Sequence, residues 1–208
     1  MLELLAPAGN LDAVIAAVQN GADAVYMGFG DGFNARRSAD NFTRESFAKA
    51  VRYCHISGCK VYVTLNTLVG DREMEAAAAL AQQASDAGAD AILVQDLGLA
   101  RVLRDALPDL PLHASTQMSI HNLAGVEAAA EMGITRAVLS RELSLEQIRF
   151  ISQHASIETE VFVHGALCFC YSGQCYMSAR IGRRSGNRGA CAQPCRMQYS
   201  MGGRMDEY

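Results

Sequence analysis

The chain has 208 residues, of which 50% are hydrophobic and 19% are charged, so it can bury a sizeable core and is not a disordered protein. Its 18 Lys and Arg against 22 Asp and Glu give a net charge of −4, which excludes a strongly basic chain and leaves only a local patch for nucleic acid. No run of about 18 apolar residues occurs, so we expect no membrane span. The opening MLELLAPAGN lacks a basic region, so we expect no secretory signal and a cytoplasmic protein.

Short apolar runs, each bounded by Gly, Asn, Asp or Ser, recur along the chain and predict buried strands. The seven predicted strands cover residues 2–5, 23–27, 60–65, 90–94, 111–114, 136–139 and 158–163. Ala-rich amphipathic stretches between them predict six helices, over residues 10–20, 43–57, 71–87, 97–106, 121–131 and 144–153. Thr43, Asp71 and Ser144 stand near helix starts, and Ser144 with Gln147 predicts a capping box.

Strands that alternate with helices predict an α/β protein with a parallel sheet. A doubly wound sheet is the alternative, but the loop APAGN after the first strand holds one glycine where a dinucleotide-binding loop needs three. We therefore predict a (β/α)8 TIM-type barrel. Because a full barrel takes about 250 residues, we expect an incomplete one of about seven strands over residues 1–165. A truncated Cys-rich segment over residues 166–208 follows it.

The phrase Gly-Ala-Asp-Ala occurs at two helix-to-strand joints, beginning at Gly21 and at Gly88. We expect each glycine to end its helix in the left-handed conformation.

Polar residues follow the predicted strands, where a barrel carries its active site. They are Asn34, Arg36, Arg37, Asn66, Thr67, Gln95, Asp96, Ser115, Thr116, Gln117, Ser119, His121, Asn122, Ser140, Arg141, Glu142 and His164. Such loops are also polar because they meet water and cap helices, but the whole set predicts a polar, anion-binding pocket. Arg36 and Arg141 are the expected carboxylate or phosphate partners, since a guanidinium presents paired donors. We expect His113 to be a satisfied core residue, and His164 to be either a site residue or a structural donor.

Five of the seven cysteines fall between residues 168 and 195, with the spacings C-x-C-x4-C and C-x3-C. An odd cysteine count without an export signal argues against a disulfide framework. Zinc favours paired C-x2–4-C knuckles, which the second pair fits, whereas iron–sulfur clusters accept uneven spacing. The spacing leaves both open, together with free buried thiols and a redox disulfide. Cys54 and Cys59 are expected to fill the core.

Arginines are concentrated in the same segment, at Arg180, Arg183, Arg184, Arg188 and Arg196. They form either a solvated loop or a local cationic surface for phosphates.

Residues 160–178 resemble the signature of peptidase family U32, the collagenase-like peptidases. That signature is Glu-x-Phe-x-x-Gly-small-aliphatic-Cys-x4-Gly-x-Cys-x-aliphatic-Ser. The matching residues are Glu160, Phe162, Gly165, Ala166, Leu167, Cys168, Gly173, Cys175, Met177 and Ser178. The opening LLAPAGN and the segments FNAR at 33–36, STQMS at 115–119 and LSREL at 139–143 also resemble this family, so the resemblance covers essentially the whole chain.

The resemblance implies more than the peptidase name. Better-understood members are oxygen-independent hydroxylases with a 4Fe-4S cluster, which act on uridine in tRNA, cytidine in ribosomal RNA or a quinone precursor, in some cases with prephenate as hydroxyl source. The family's cluster ligands fall on Cys168, Cys175 and Cys191. The fourth ligand of the family lies further downstream, so Cys195 or Cys170 substitutes, the cluster is incomplete, or the chain is truncated.

Three functions follow from these observations. For RNA hydroxylation, the cluster would lie over the barrel mouth near four candidate catalytic residues, Arg36, Gln117, Arg141 and His164. A prephenate-like carboxylate suits the arginines of that set, and the cationic segment with Arg180, Arg183, Arg184 and Arg188 favours RNA over a quinone precursor.

A peptidase is the second reading. The chain has no Gly-x-Ser-x-Gly or His-Glu-x-x-His motif, but a pair of Cys168 with His164 is conceivable. The third reading is a non-catalytic fragment or partner subunit, since an unfinished barrel exposes sheet edges that associate into homo- or hetero-oligomers.

Overall fold

The computed structural model describes residues 2–30, 32–35, 41–201 and 204–206. Within them, seven parallel strands form one sheet in chain order. These strands are β1 (Leu5–Pro7), β2 (Ala24–Met27), β3 (Lys60–Leu65), β4 (Ala91–Val94), β5 (Leu112–Ala114), β6 (Arg136–Val138) and β7 (Glu158–Glu160). A helix follows each of the first six strands: α1 (Leu11–Gln19), α2 (Arg44–Ile56), α3 (Met74–Asp86), α4 (Leu97–Ala106), α5 (Leu123–Glu131) and α6 (Leu145–His154).

A cysteine-rich segment follows the sheet. It contains the short helix α7 (Met177–Gly182) and an antiparallel hairpin of β8 (Tyr199–Met201) and β9 (Arg204–Asp206). No helix among the described residues is long and apolar enough to cross a membrane.

The predicted order of seven strands and six helices is confirmed, and the differences within them are confined to element ends, whereas α7 and the hairpin of β8 and β9 were not predicted. The first strand begins at Leu5 rather than residue 2, because Leu5 is the residue that pairs with Ala24 of β2. The last strand ends at Glu160 rather than residue 163, and the three residues after it are exposed. Asp71 does not cap α3, which begins at Met74 without a side-chain cap. The capping box of Ser144 and Gln147 is present as predicted.

The strands bury side chains on both faces, as expected for a parallel sheet covered by helices. Toward the helices, β-branched and aliphatic residues such as Val61, Val63 and Ile92 are fully buried. The alternate residues Tyr62, Ala91 and Leu93 form a second cluster on the other face of the sheet. This alternation with period two places one residue set outside the barrel wall and the other inside it.

Arg136 shows that the sheet curls. Its guanidinium donates to Glu158 on β7 at 2.6 and 2.8 Å, and also to Glu3, which precedes β1, at 2.5 Å. The Tyr62 hydroxyl reaches the same Glu3 carboxylate at 2.9 Å. A flat sheet in the order β1 to β7 would hold Glu3 and Glu158 at opposite edges, so their shared partner requires a barrel-like curve. The described residues therefore form an incomplete TIM-type barrel, as predicted.

The glycine at each helix-to-strand joint has the predicted conformation. Gly88 follows α3 with a φ of +96°, and a Cβ there would lie 3.0 Å from the side chain of Val51 on α2. Gly21 has a φ of +87° at the corresponding position after α1. The left-handed turn ends each helix and directs the chain into the next strand.

Replacement of Arg136 by alanine is expected to cost about 3–5 kcal/mol of unfolding free energy. The side chain of Arg136 is 9% exposed, and its loss leaves Glu160 without a cation and Glu3 with only the longer pair to the half-exposed Lys60 at 3.3 Å. Urea unfolding of the purified protein measures the change. The control is Arg101→Ala, which removes an exposed pair with Asp105 and is expected to change stability by less than about 0.5 kcal/mol. A loss for Arg136→Ala no larger than the control's would contradict the assigned role.

The interaction of Arg136 with Glu3 also makes the stability of the protein depend on pH in the acid range. Burial alone would raise the pKa of Glu3, but hydrogen bonds from Arg136 and Tyr62 lower it to about 2. Because the folded-state pKa lies below the ordinary value of 4.5, the stabilisation is present above pH 4.5 and is lost as the pH falls toward 2. Arg136→Ala is expected to flatten this part of the stability profile.

Candidate active site at the barrel mouth

A cavity of about 350 Å³ opens at the carboxyl ends of the strands, the end at which barrels carry their active sites. Its walls come from the residues that end β1, β2 and β3 or follow them, from the loops after β6 and β7, and from one cysteine. The lining residues are Ala8, Gly9, Tyr26, Met27, Gly28, Asn34, Ala35, Thr64, Asn66, Arg141, Phe162 and Cys168. The predicted site residue Arg141 and the predicted ligand Cys168 therefore share one cavity.

Amide side chains fix the polar wall of this cavity. The Asn66 carbonyl oxygen accepts from the Ala35 backbone N–H at 3.0 Å, and its amide donates to the Ser115 hydroxyl at 3.2 Å. Asn34 donates to Asn41 at 3.0 Å across Gly28. A Cβ at Gly28 would lie 1.9 Å from the Asn34 amide nitrogen, so the two asparagines occupy the place where a side chain would stand.

Arg141 connects the barrel to residues 168–175, which we call the cysteine turn. Its Nη1 donates to the Cys168 carbonyl at 3.2 Å and its Nη2 to the Cys170 carbonyl at 3.4 Å. A guanidinium carries five N–H donors, so others remain for a ligand in the cavity. Arg141 thus positions the cysteine turn and also lines the cavity.

Ser172 anchors the middle of the cysteine turn and is fully buried. Its backbone N–H and its hydroxyl both donate to the Glu142 carboxylate, and its carbonyl accepts from the Ser119 hydroxyl at 2.5 Å. Although burial acts to raise the pKa of Glu142, backbone N–H groups and Ser172 lower it, so Glu142 stays an acceptor. These bonds fasten the turn to the loops after β5 and β6.

Gly173 lies directly against the barrel. Its φ is +74°, and a Cβ would lie 2.1 Å from the backbone oxygen of Gln117. This distance is much shorter than the van der Waals contact of a carbon with an oxygen. The same Gln117 oxygen accepts from the Gln95 amide at 3.3 Å. The glycine of the cysteine turn is therefore needed both for its left-handed backbone and for this close approach.

The cysteines divide into two groups. Cys54 and Cys59 are buried in the core, as predicted, and burial raises the pKa of both thiols. In the cysteine-rich segment, the thiols of Cys168, Cys191 and Cys195 are exposed, whereas those of Cys170 and Cys175 are half-buried. Burial and the neighbouring thiols of Cys175 and Cys168 raise the pKa of Cys170. Among the described residues, no three His, Cys, Asp or Glu side chains converge on a single metal ion, so the ligand set stays a prediction.

Three of the clustered arginines are engaged within the protein. Arg188 pairs with Glu73 at the start of α3 at 2.7 and 3.1 Å, and this pair lowers the pKa of Glu73 to about 2. Arg184 donates to the Ala190 carbonyl and Arg196 to the Leu167 carbonyl. Arg188 therefore ties the cysteine-rich segment to the barrel, a role that its position in the sequence did not reveal.

The other predicted site residues are placed as follows. Arg36 lies outside the described residues. Gln117 lies in the loop after β5 and contributes its backbone oxygen, while His164 is exposed beyond the end of β7. His113 is buried as predicted, and burial lowers its pKa to about 3, but its Nδ1 has no partner among the described residues. Sequence reasoning assigned no role to Ser172, whose contact with Glu142 spans 30 positions.

Replacement of Gly173 by alanine is expected to detach the cysteine turn from the barrel, because the new Cβ would overlap the Gln117 carbonyl. The alkylation rates of Cys170 and Cys175, measured by mass spectrometry under reducing conditions, are expected to rise about tenfold or more. Gly182→Ala is the matched control, since a Cβ there meets nothing within 4 Å. Equal alkylation rates in both variants would show that Gly173 does not hold the turn.

Comparison with known proteins gives consistent matches. The model of peptidase family U32 matches residues 9–207. The chain is 44% identical over 200 residues to a 23S rRNA 5-hydroxycytidine synthase of Escherichia coli (strain K12), covering 96% of this chain and 30% of that protein. It is 40% identical over 199 residues to tRNA hydroxylation protein P1 of Bacillus subtilis (strain 168), covering 96% and 47%. A protein named collagenase, from Porphyromonas gingivalis, is 35% identical over 96% of this chain and 50% of its own length.

A solved U32 peptidase superposes with a TM-score of 0.67 at 17% identity, over 81% of this chain and 71% of the other, and supports the fold. The chain spans at most half the length of these three curated relatives. With a family match over nearly all of its residues and an incomplete barrel of the same fold, this chain belongs to peptidase family U32.

Proposed function

We propose that this chain carries the active-site barrel of an oxygen-independent hydroxylase that modifies a base of tRNA or ribosomal RNA. The observation that carries the proposal is the cavity at the barrel mouth, which brings Arg141 and Cys168 together. The names of two relatives at 44% and 40% identity support the same reaction class.

The cavity suits a single base. Its volume of about 350 Å³ lies at the lower end of the range of about 300–1,000 Å³ for small-ligand sites. An enzyme that acts on a base within RNA must take that base out of the stack or act where it is unpaired. The amide groups that line the wall, Asn34 and Asn66, carry the donors and acceptors by which proteins read a base edge.

The cofactor we propose is a 4Fe-4S cluster held by Cys168, Cys175 and Cys191, with Cys195 or Cys170 as further ligand and zinc as the alternative metal. The donor chemistry fits, because these thiols are free and Cys168 faces the cavity. A cluster supplies electron-transfer or Lewis-acid chemistry where it is bound.

The residues of the chain itself would bind and orient the reactants. Arg141 is already held by the two carbonyls of the cysteine turn, and its remaining donors would bind the carboxylate of a prephenate-like hydroxyl source. Arg36 is the second candidate for this contact. His164 and Gln117 follow β7 and β5 at the same end of the barrel and remain candidate catalytic residues.

Deletion of the gene is expected to remove one hydroxylated pyrimidine nucleoside from tRNA or ribosomal RNA, as measured by mass spectrometry of digested RNA. Complementation with the full-length protein restores it, whereas Cys168→Ser and Arg141→Ala versions are expected to restore less than about a tenth. Arg101→Ala, far from the cavity on α4, serves as the control that restores it fully.

Unchanged nucleosides in the deletion strain would refute RNA hydroxylation. If, in addition, the protein cleaves a collagenous peptide and Cys168→Ser abolishes the cleavage, the peptidase alternative replaces it.

Anaerobically purified protein is expected to be brown, with visible charge-transfer absorption and with iron and sulfide in equal amounts. Ser variants of Cys168, Cys175 and Cys191 are expected to lose most of the colour. Cys59→Ala is the control and keeps it, because Cys59 is buried at the amino end of β3. A colourless protein with stoichiometric zinc would instead favour the zinc alternative.

A further inference from the structure

The cysteine-rich segment exposes an unusual amount of apolar surface. Residues 161–199 hold 11 of the 19 exposed large hydrophobic side chains among the described residues. In the rest of the described chain, most large apolar side chains are buried in the core. An exposed patch of this kind marks an interaction surface rather than a part of the core.

Three aromatic rings stand out in this patch. Phe169 is 93% exposed, Tyr171 65% and Tyr176 68%. The backbone on both sides of Phe169 is fixed, because the Cys168 and Cys170 carbonyls bind Arg141. The Tyr171 ring lies 6.0 Å from the ring of His121. Phe169 and Tyr171 are therefore displayed from a backbone that is anchored to the barrel, next to the cavity that Cys168 lines.

Two cations accompany the rings. The Arg180 N–H donates to the Tyr176 carbonyl at 2.9 Å, so both side chains lie on one face of the helical turn. Arg183 ends α7 in the left-handed conformation and is exposed. In the described part of the chain, neither arginine forms an ion pair with a carboxylate, in contrast to Arg188. Their charge is available to a partner.

We propose that Phe169, Tyr171, Tyr176, Arg180 and Arg183 form a stacking surface that binds the unpaired nucleotides on either side of the target base. This inference rests on the proposed function. Aromatic rings stack on bases only where the bases are unpaired, and arginines beside them neutralise the phosphates between. In a duplex the faces of the bases are stacked on one another, so a duplex would contact only the arginines, through its phosphates. The combination of rings and free cations therefore favours single-stranded RNA over an apolar protein surface.

The test is a binding titration of the full-length protein by fluorescence anisotropy. The probes are a labelled single-stranded RNA and the same strand in a duplex. Wild-type protein is expected to prefer the single strand by at least tenfold. Phe169→Ala and Tyr176→Ala are each expected to weaken single-strand binding by about 5- to 150-fold, the usual loss per stacked base. Phe150→Ala removes a half-exposed ring on α6 and is the matched control.

Salt dependence tests the cations separately. The slope of log affinity against log salt concentration is expected to fall by about 0.7 for Arg180→Gln and for Arg183→Gln. Arg52→Gln on α2 is the control and leaves the slope unchanged. Thermal unfolding midpoints equal to that of the wild type show that the variants are folded.

Equal affinity for single strand and duplex, or aromatic variants that bind like the wild type, would overturn the stacking surface. Aromatic variants that change the sedimentation of the protein but not its RNA affinity would reassign the patch to contact between two copies. If the variants lose RNA binding as expected but the deletion strain keeps all its hydroxylated nucleosides, the stacking surface stands and the proposed hydroxylation fails.

Discussion

The docking of the cysteine turn onto the barrel is the interaction on which the site depends. The turn is a surface segment with free thiols and exposed rings, and it has little apolar contact of its own with the barrel. Its position comes instead from buried polar bonds, above all those between Ser172 and Glu142, and from the contact of Gly173 with the Gln117 carbonyl. Bonds to an ionised acceptor in a low-dielectric setting are strong and directional, so a few of them fix the turn.

The two ends of the barrel use charge differently. At the amino end, Arg136 is almost fully buried and is neutralised by Glu3 and Glu158, an arrangement that closes the curve of the sheet. At the carboxyl end, Arg141 donates to neutral carbonyls and forms no ion pair with a carboxylate among the described residues. The buried, paired arginine and the arginine that lines the cavity therefore lie at opposite ends of the strands.

Much of the fold follows from local sequence. Apolar runs identified buried strands such as β2 and β4, because strands covered on both faces read as continuous apolar segments. By contrast, β7 is Glu-Thr-Glu and was located only together with the apolar residues 161–163 that follow it. The ends of the strands were less predictable. β1 begins at Leu5 because Leu5 pairs with Ala24 of β2, and this register cannot be read from a local sequence pattern. The candidate site at the barrel mouth was predicted because the loops that follow parallel strands all lie at the same edge of the sheet. Ser172 and the pairing of Arg188 with Glu73 were missed, since each contact joins residues far apart in sequence.

The cysteine turn has one side that contacts the barrel and another that faces solvent. Residues 168, 170 and 172 are held by backbone contacts with the barrel, while the side chains of Phe169 and Tyr171 alternate with them and face solvent. Substitutions on the outward side leave the anchoring bonds intact. Positions 169 and 171 can therefore be randomised in a library while the backbone bonds that hold the turn are kept.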